Sequence, residues 1–135
     1  MSGDLTLPIL DTIIKDVNNL RSESQRLSMR NFHILGFQHI ENLMKILLRE
    51  ETGQISRSHY LGGLLIRIDD FYGGEVSMHL LGCVSNYDEL SELFSTNFLD
   101  IRYAPELKDV DLAGRRTYLE VLYALIEICV YYRMS

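Results

Sequence analysis

A histidine and a cysteine four positions apart are the residues of this chain whose types and spacing come closest to a metal site. On a helix, His79 and Cys83 would lie one turn apart on one face, and imidazole and thiolate are both ligands of zinc. A structural zinc ion needs four ligands, and no neighbour in the sequence completes the set. Cys129 is distant, and His33 and His39 would point about 120° apart on their own helix. We therefore predict no metal and no other cofactor, and a half-buried histidine beside a core cysteine.

Two further groups of reactive side chains give weaker signals. Asp69 and Asp70, with Glu75, bring three carboxylates close together in the sequence, a pattern that suits acid or metal chemistry. Adjacent helical residues point about 100° apart, however, so an acidic pair before two glycines is typical of a solvated helix end. The segment 56–60 contains a serine and a histidine, but a nucleophile is recognised by geometry rather than by closeness in sequence. The sequence predicts no catalytic residue and favours a protein that is not an enzyme.

Three arginines gather on an otherwise acidic protein. Arg21, Arg26 and Arg30 follow the first predicted helix, and if that helix continues, Arg26 and Arg30 share a face that could bind a phosphate or an acidic segment of a partner. A solvated linker is the alternative. The net charge of −6 argues against a general nucleic-acid or anionic-membrane role. We therefore assign these arginines to contact with a protein partner.

The last segment, 117–134, is apolar almost all the way round. On a helix, Glu120 and Glu127 would share one polar stripe, and the rest of the segment would need protein around it, either as a central helix or as an interface. The hydroxyls of several tyrosines in this segment need either a buried hydrogen-bond acceptor or an interface that leaves them in contact with water. We predict that four tyrosines of this segment contact a partner: Tyr118, Tyr123, Tyr131 and Tyr132. In a central helix, the tyrosine tips would instead reach the rim of the bundle.

Composition is that of one ordinary globular domain. The 135 residues are 47% hydrophobic and 24% charged, and we predict a single helical domain over 1–135. The two cysteines are no disulfide framework, the first residues carry no export signal, and we expect an intracellular protein, cytoplasmic or nuclear. The final apolar segment has about sixteen residues between Arg116 and Arg133 where a membrane span needs roughly 20, so we predict no membrane span.

Hydrophobic periodicity predicts helices at 9–20, 31–49 and 87–98, before a connector at 101–108. The first is amphipathic, with Pro8 in its first turn, and Gly53 is expected to follow the end of the second. Asn86 and Glu89 make a capping-box-like start for the third.

The stretch 56–84 is ambiguous. Read as helices, its apolar residues follow the i, i+3/i+4 pattern, with a second short helix over 75–84. Read as strands, Gly73-Gly74 is a hairpin turn, and the chain would be α+β with a hairpin at 64–80. We favour helix by about two to one, because an isolated two-stranded hairpin is marginally stable and no other segment offers a partner strand.

The run Leu65–Asp70 resembles the BH3 motif of apoptosis regulators, and an apolar helix wrapped by amphipathic ones is similar to the Bcl-2 architecture. The match covers six residues, with Asp69 where that motif has a small residue. The chain has no Trp and therefore lacks the Asn-Trp-Gly-Arg signature of that family. No functional residue is transferred on this resemblance.

Taken together, these patterns predict an all-α bundle of five or six helices with a largely buried C-terminal helix. The expected function is that of a non-enzymatic protein–protein interaction module (adaptor, inhibitor or assembly subunit) that self-associates through the C-terminal helix, for example as a homodimer. The alternative is a small-ligand-binding or enzymatic helical domain with a pocket near His79, Cys83 and Tyr123.

Overall fold

The computed structural model describes residues 2–50, 52, 61–95 and 112–134, and within these ranges it contains six helices and no strand. In chain order the helices are α1 (Ser2–Glu23), α2 (Met29–Leu47), α3 (Leu61–Tyr72), α4 (Glu75–Cys83), α5 (Tyr87–Ser95) and α6 (Leu112–Met134). The all-α prediction is confirmed, and the hairpin alternative at 64–80 is wrong. No helix of these ranges combines the length and hydropathy needed to cross a membrane.

The C-terminal helix α6 lies at the centre of the bundle and contacts α1, α2, α4 and α5. Its residues Val121, Leu122 and Leu125 are fully buried. Burying a large aliphatic side chain stabilises the fold by about 1.5–3 kcal/mol, so this helix contributes strongly to the core. The apolar surface that had to be covered is therefore covered mainly by the other helices of the same chain.

A turn after residue 23 separates α1 from α2, so the first helix includes Arg21 but ends before Arg26 and Arg30. Ser28 caps α2 by accepting a hydrogen bond from the backbone N–H of Asn31 at 3.1 Å. At its other end, Arg49 adopts a left-handed conformation with φ of 59° and ends the helix. The prediction that Gly53 takes this position is wrong: the left-handed residue comes earlier, and Gly53 lies outside the described residues.

Two glycines join α3 to α4 where a hairpin was considered. Gly73 and Gly74 have φ angles of 68° and 83°, a conformation that glycine adopts without the strain a Cβ atom would add. The Gly74 N–H donates to the Asp69 carbonyl at 3.1 Å, and the Gly74 carbonyl accepts from Met78 as α4 begins. The glycine pair therefore reverses the chain between two helices rather than between two strands.

Helices α4 and α5 are short and attach to the bundle by one face each. Val76 and Leu80 are the buried residues of α4, which packs against α6 and α3, and His79 and Cys83 lie at the edge of the contact with α6. Helix α5 begins as predicted, since the Glu89 N–H donates to Asn86 Oδ1 at 3.1 Å. The predicted end of this helix and the connector at 101–108 lie outside the described residues.

Candidate functional site

A histidine, a cysteine and a glutamate meet where α4 packs against α6. His79 and Cys83 lie one turn apart on α4, and Glu127 of α6 faces them across the contact. His79 Nε2 is 3.1 Å from Glu127 Oε2 and 3.5 Å from Cys83 Sγ. The ligand-type atoms of all three side chains lie within 4.8 Å of one another, and they form the one such group of three or more in the described part of the chain.

The glutamate stripe predicted on the final helix faces α4 and the loop after it. Glu120 Oε1 accepts a hydrogen bond from Ser85 Oγ at 3.0 Å and forms an ion pair with Arg116 at 3.6 Å. Glu127, two turns further on, reaches His79 and keeps a side chain that is 64% exposed. The stripe is therefore a polar seam along the edge of the bundle, where α6 comes to the surface.

The surroundings of Cys83 favour the protonated form of its thiol. Burial raises its pKa, and the negative charges of Glu127 and Glu120 raise it further, because each disfavours the thiolate. A cysteine nucleophile needs the opposite environment, with positive charge that favours the thiolate. The surroundings of Cys83 therefore do not favour unaided acid–base or nucleophilic chemistry at its thiol.

Two cavities adjoin the cluster. The tyrosine cavity, of about 370 Å³, is lined by His79, Glu127 and the Tyr131–Tyr132 end of α6. There the Tyr132 hydroxyl donates to Glu75 Oε2 at 2.6 Å, and this hydrogen bond is the main cause that raises the pKa of Tyr132 to about 12. Four of the polar residues in the wall of this cavity are therefore already paired, His79 with Glu127 and Tyr132 with Glu75.

The arginine cavity, of about 570 Å³, lies on the other side of Glu127, which lines both spaces. Cys83 and Tyr123 line it together, so two of the three residues expected around a pocket do share one, while the third, His79, lines the neighbouring cavity. Arg21 also lines it, with its guanidinium carbon 5.4 Å from the centre of the Tyr123 ring. Three arginines and two glutamates line this cavity in all: Arg21, Arg115, Arg116, Glu120 and Glu127.

Arg115 is the unusual member of this cavity because it is buried, with 8% of its surface exposed. Its Nη2 donates to the Leu27 carbonyl at 2.9 Å, and its guanidinium carbon lies 5.2 Å from the centre of the Phe32 ring. Its Nη1 is buried without a hydrogen-bond partner in the described part of the chain. Arg115 therefore attaches the connection between α1 and α2 to the central helix.

The remaining candidates for partner binding are dispersed. Arg26 lies in the turn after α1, paired with Glu23 at 3.6 Å, whereas Arg30 is in α2, so the two do not share a helix face. Tyr118 is 4% exposed and belongs to the core, a position from which it cannot reach a surface partner. Tyr131 is 66% exposed and Tyr132 is partly buried against the core.

An apolar groove runs between α3, α4 and α5, on residues that were not singled out from the sequence. It encloses about 180 Å³, and none of the described residues that line it is charged. Two of its apolar side chains are exposed: Leu81 at 51% and Tyr87 at 66%. Its apolar lining consists of Leu65, Leu80, Leu81, Tyr87, Leu90 and Phe94. Met78, which is 73% exposed, lies one turn before Leu81 on α4.

Sequence reasoning missed the meeting of Glu127 with His79 because 48 positions separate the two residues. The one available signal was a charged residue in an otherwise apolar helix, which marks a place where the helix reaches water or a polar partner. The chain matches no protein-family model, no curated protein and no solved structure. Functional inference therefore rests on the residues of this chain alone.

Proposed function

We propose that this protein is a non-enzymatic interaction module, an adaptor, inhibitor or assembly subunit, that binds a basic amphipathic helix of a partner protein in the groove between α3, α4 and α5. The observation that carries this proposal is the exposure of Leu81 and Tyr87 on an apolar groove. Contiguous apolar surface that stays in water is costly, and in folded proteins it commonly marks a binding site.

The layout of the groove suits a helical occupant. On α5 the lining residues follow at i, i+3, i+4 and i+7, so they share one edge of the helix, which is apolar except for Ser91: Tyr87, Leu90, Ser91 and Phe94. Leu81 of α4 and Leu65 of α3 face it across the groove. An amphipathic helix inserts side chains into such a groove at the same spacing, and the buried apolar area supplies the affinity.

Charge supports a basic partner. Asp88 and Glu92 are exposed on α5, about 100° round the helix from the groove-lining residues that precede them. At the α3 side, Asp69 is partly buried and already accepts a hydrogen bond from the groove residue Ser77 through Oδ2 at 2.6 Å, so it is Asp88 and Glu92 that offer exposed carboxylates to a partner. Lysine or arginine at the rim of a bound helix would be attracted to these carboxylates.

A second copy of this chain is a less suitable occupant of the groove, again because of charge. Each copy carries a net charge of −6, and pairing the groove with itself would bring its acidic flanks together. Self-association through the C-terminal helix stays a prediction. The exposed apolar side chains that α6 offers for it, within 114–133, are Val130 and Tyr131 at 36% and 66% exposure.

Fluorescence anisotropy with two labelled synthetic peptides tests the proposal. Both peptides carry leucines at i, i+3, i+4 and i+7, and the opposite face holds lysines in one and glutamates in the other. We expect the lysine peptide to bind more tightly, and Leu81→Ser to weaken its binding about tenfold, which corresponds to about 1.4 kcal/mol.

Phe71→Ser is the matched control, because Phe71 is 70% exposed but does not line the groove. Equal binding of the two peptides would contradict the charge argument, and equal effects of the two substitutions would contradict the groove. Sedimentation of the free protein provides a separate outcome: a dimer that Leu81→Ser dissociates would make a second copy the occupant.

A small-ligand-binding domain is the second candidate, and the arginine cavity favours it. Arg115 lines that cavity beside Arg21 and Arg116, its buried Nη1 has no hydrogen-bond partner among the described residues, and guanidinium groups bind carboxylates and phosphates. Stabilisation of the protein against heat by inorganic phosphate or citrate, lost in Arg21→Gln, would support this alternative over the groove.

A further inference from the structure

We infer that His79, Cys83 and Glu127 form a binding site for a divalent transition metal, with Zn²⁺ as the best match. The three residues supply one imidazole nitrogen, one sulfur and one carboxylate oxygen from two packed helices. Zinc takes nitrogen, sulfur and carboxylate ligands together, and three protein ligands with a water in the fourth position are the usual set for a zinc ion that stays accessible.

Two of the three distances between the ligand atoms already suit tetrahedral coordination, and the third, from Cys83 Sγ to the Glu127 carboxylate, is within 4.8 Å. With zinc bonds of about 2.0–2.3 Å, two ligand atoms of a tetrahedral site are separated by about 3.4 Å for nitrogen and oxygen and by about 3.6 Å for nitrogen and sulfur. The distances from His79 Nε2 to Glu127 Oε2 and to Cys83 Sγ are 3.1 and 3.5 Å. Binding of the ion therefore requires each of these two distances to change by no more than a few tenths of an ångström.

The supports of the site are rigid. His79 and Cys83 occupy successive turns of α4, and this helix packs against α6 and α3 with Val76 and Leu80 fully buried. Ligands carried on packed helices lose little conformational freedom when they bind an ion. Glu127 is the mobile member, since its side chain is 64% exposed and can turn towards the metal without disturbing the core.

The ligand chemistry selects among metals. A thiolate and an imidazole favour zinc and its neighbours in the first transition series, whereas Mg²⁺ and Ca²⁺ prefer oxygen ligands alone. Coordination requires the Cys83 thiol to release one proton to solvent, after which the thiolate and the Glu127 carboxylate balance the two positive charges of the ion. Glu127 lines both neighbouring cavities, so the fourth position is within reach of water.

Isothermal titration of the full chain with Zn²⁺, and absorption spectroscopy with Co²⁺, test the site. We expect one ion per chain, and a thiolate-to-cobalt charge-transfer band that disappears in Cys83→Ser. Loss of a group that only hydrogen-bonds to a metal ligand commonly costs about 10–100-fold in metal affinity, so the loss of a ligand in Glu127→Gln should weaken Zn²⁺ binding by about 100-fold or more. Mg²⁺ should not compete.

Glu120→Gln is the matched control. It removes a carboxylate from the same stripe of α6, but Glu120 is not part of the cluster of His79, Cys83 and Glu127. Its affinity for Zn²⁺ should stay close to that of the unmodified chain. Zn²⁺ binding that Glu127→Gln leaves unchanged, a cobalt complex without the thiolate band, or no binding at all would each overturn the site. Glu127→Gln is an exposed, isosteric change, so the test does not depend on how well Cys83→Ser folds.

Discussion

Gly36 of α2 lies directly against the ring of Tyr118 of α6, and a Cβ atom at Gly36 would come within 2.7 Å of Tyr118 Cδ1. The same ring packs edge-on to Phe32 and His33, with centroid distances of 6.0 and 4.6 Å. The tyrosine is therefore enclosed on several sides. The absence of a side chain at Gly36 is what allows the central helix to approach α2 so closely.

Gly36→Ala should lower the free energy of unfolding, although alanine is the better helix former, because its methyl group must displace a buried ring. Overpacking of this kind costs about 1–3 kcal/mol, which urea denaturation would measure. Gly82→Ala in α4 is the control, since no described atom beyond its chain neighbours and its own helix backbone lies within 4 Å of its added Cβ. That change should stabilise the protein by about 0.4–1 kcal/mol. Equal effects of the two substitutions would contradict the close approach.

Arg115→Ala should destabilise the protein by about 2 kcal/mol or more. The substitution removes the charged hydrogen bond to the Leu27 carbonyl and the contact with the Phe32 ring, and it leaves that carbonyl without its donor. The neighbouring Arg116 provides a direct comparison, because it is 76% exposed and pairs with Glu120 across one helical turn. Arg116→Ala should cost less than about 0.5 kcal/mol in the same thermal or urea unfolding experiment. A reversed order would contradict this account of the buried arginine.

Stability should fall at alkaline pH because of Cys129. Burial raises the pKa of this thiol from 9.0 to about 12 in the folded chain. The native state therefore holds the proton more tightly than the unfolded chain, so this stabilisation is fully present below pH 9.0 and is lost as the pH rises towards 12. The slope is about 1.4 kcal/mol per pH unit within that window.

Unfolding of the wild type and of Cys129→Ala, compared from pH 8 to about 11, measures this contribution as a difference that shrinks with rising pH. Cys83→Ala is the control, because Cys83 is only partly buried and its replacement leaves the Cys129 contribution in place. A thiol reagent should also modify Cys83 before Cys129 in the folded protein. A difference that stays constant across this range would refute the assignment to Cys129.

Hydrophobic periodicity was sufficient to predict the helices whose apolar residues repeat at regular spacing. It correctly predicted α2, α4, the beginning of α5 and the enclosure of α6, because these features depend on residues near one another in the chain. Helix ends were less accurate. Arg49 took the left-handed position expected of Gly53, since a hydrogen bond from Glu50 to the Lys45 carbonyl closes the last turn there.

The surface pattern of α2 shows how tertiary packing overrides a polar stripe. Glu41 and Lys45 lie four positions apart in α2, a spacing typical of an ion pair on the polar face of a helix, and they do pair across one turn, at 3.9 Å. Both are nevertheless buried, with 8% and 4% of their surfaces exposed. A pair that is polar in sequence can thus be covered by neighbouring elements, provided that its charges remain satisfied within the protein.

From local pattern alone, the chain was predictable as an all-α protein whose last helix had to be covered, since amphipathic spacing and an unbroken apolar surface are properties of short stretches. The groove of α3, α4 and α5 and the cluster of His79, Cys83 and Glu127 were not predictable in this way. Each joins side chains from separate helices, and their distances depend on how those helices pack. The energy that sets this packing comes from the buried faces, such as Gly36 against Tyr118, and not from the polar residues that the packing brings together.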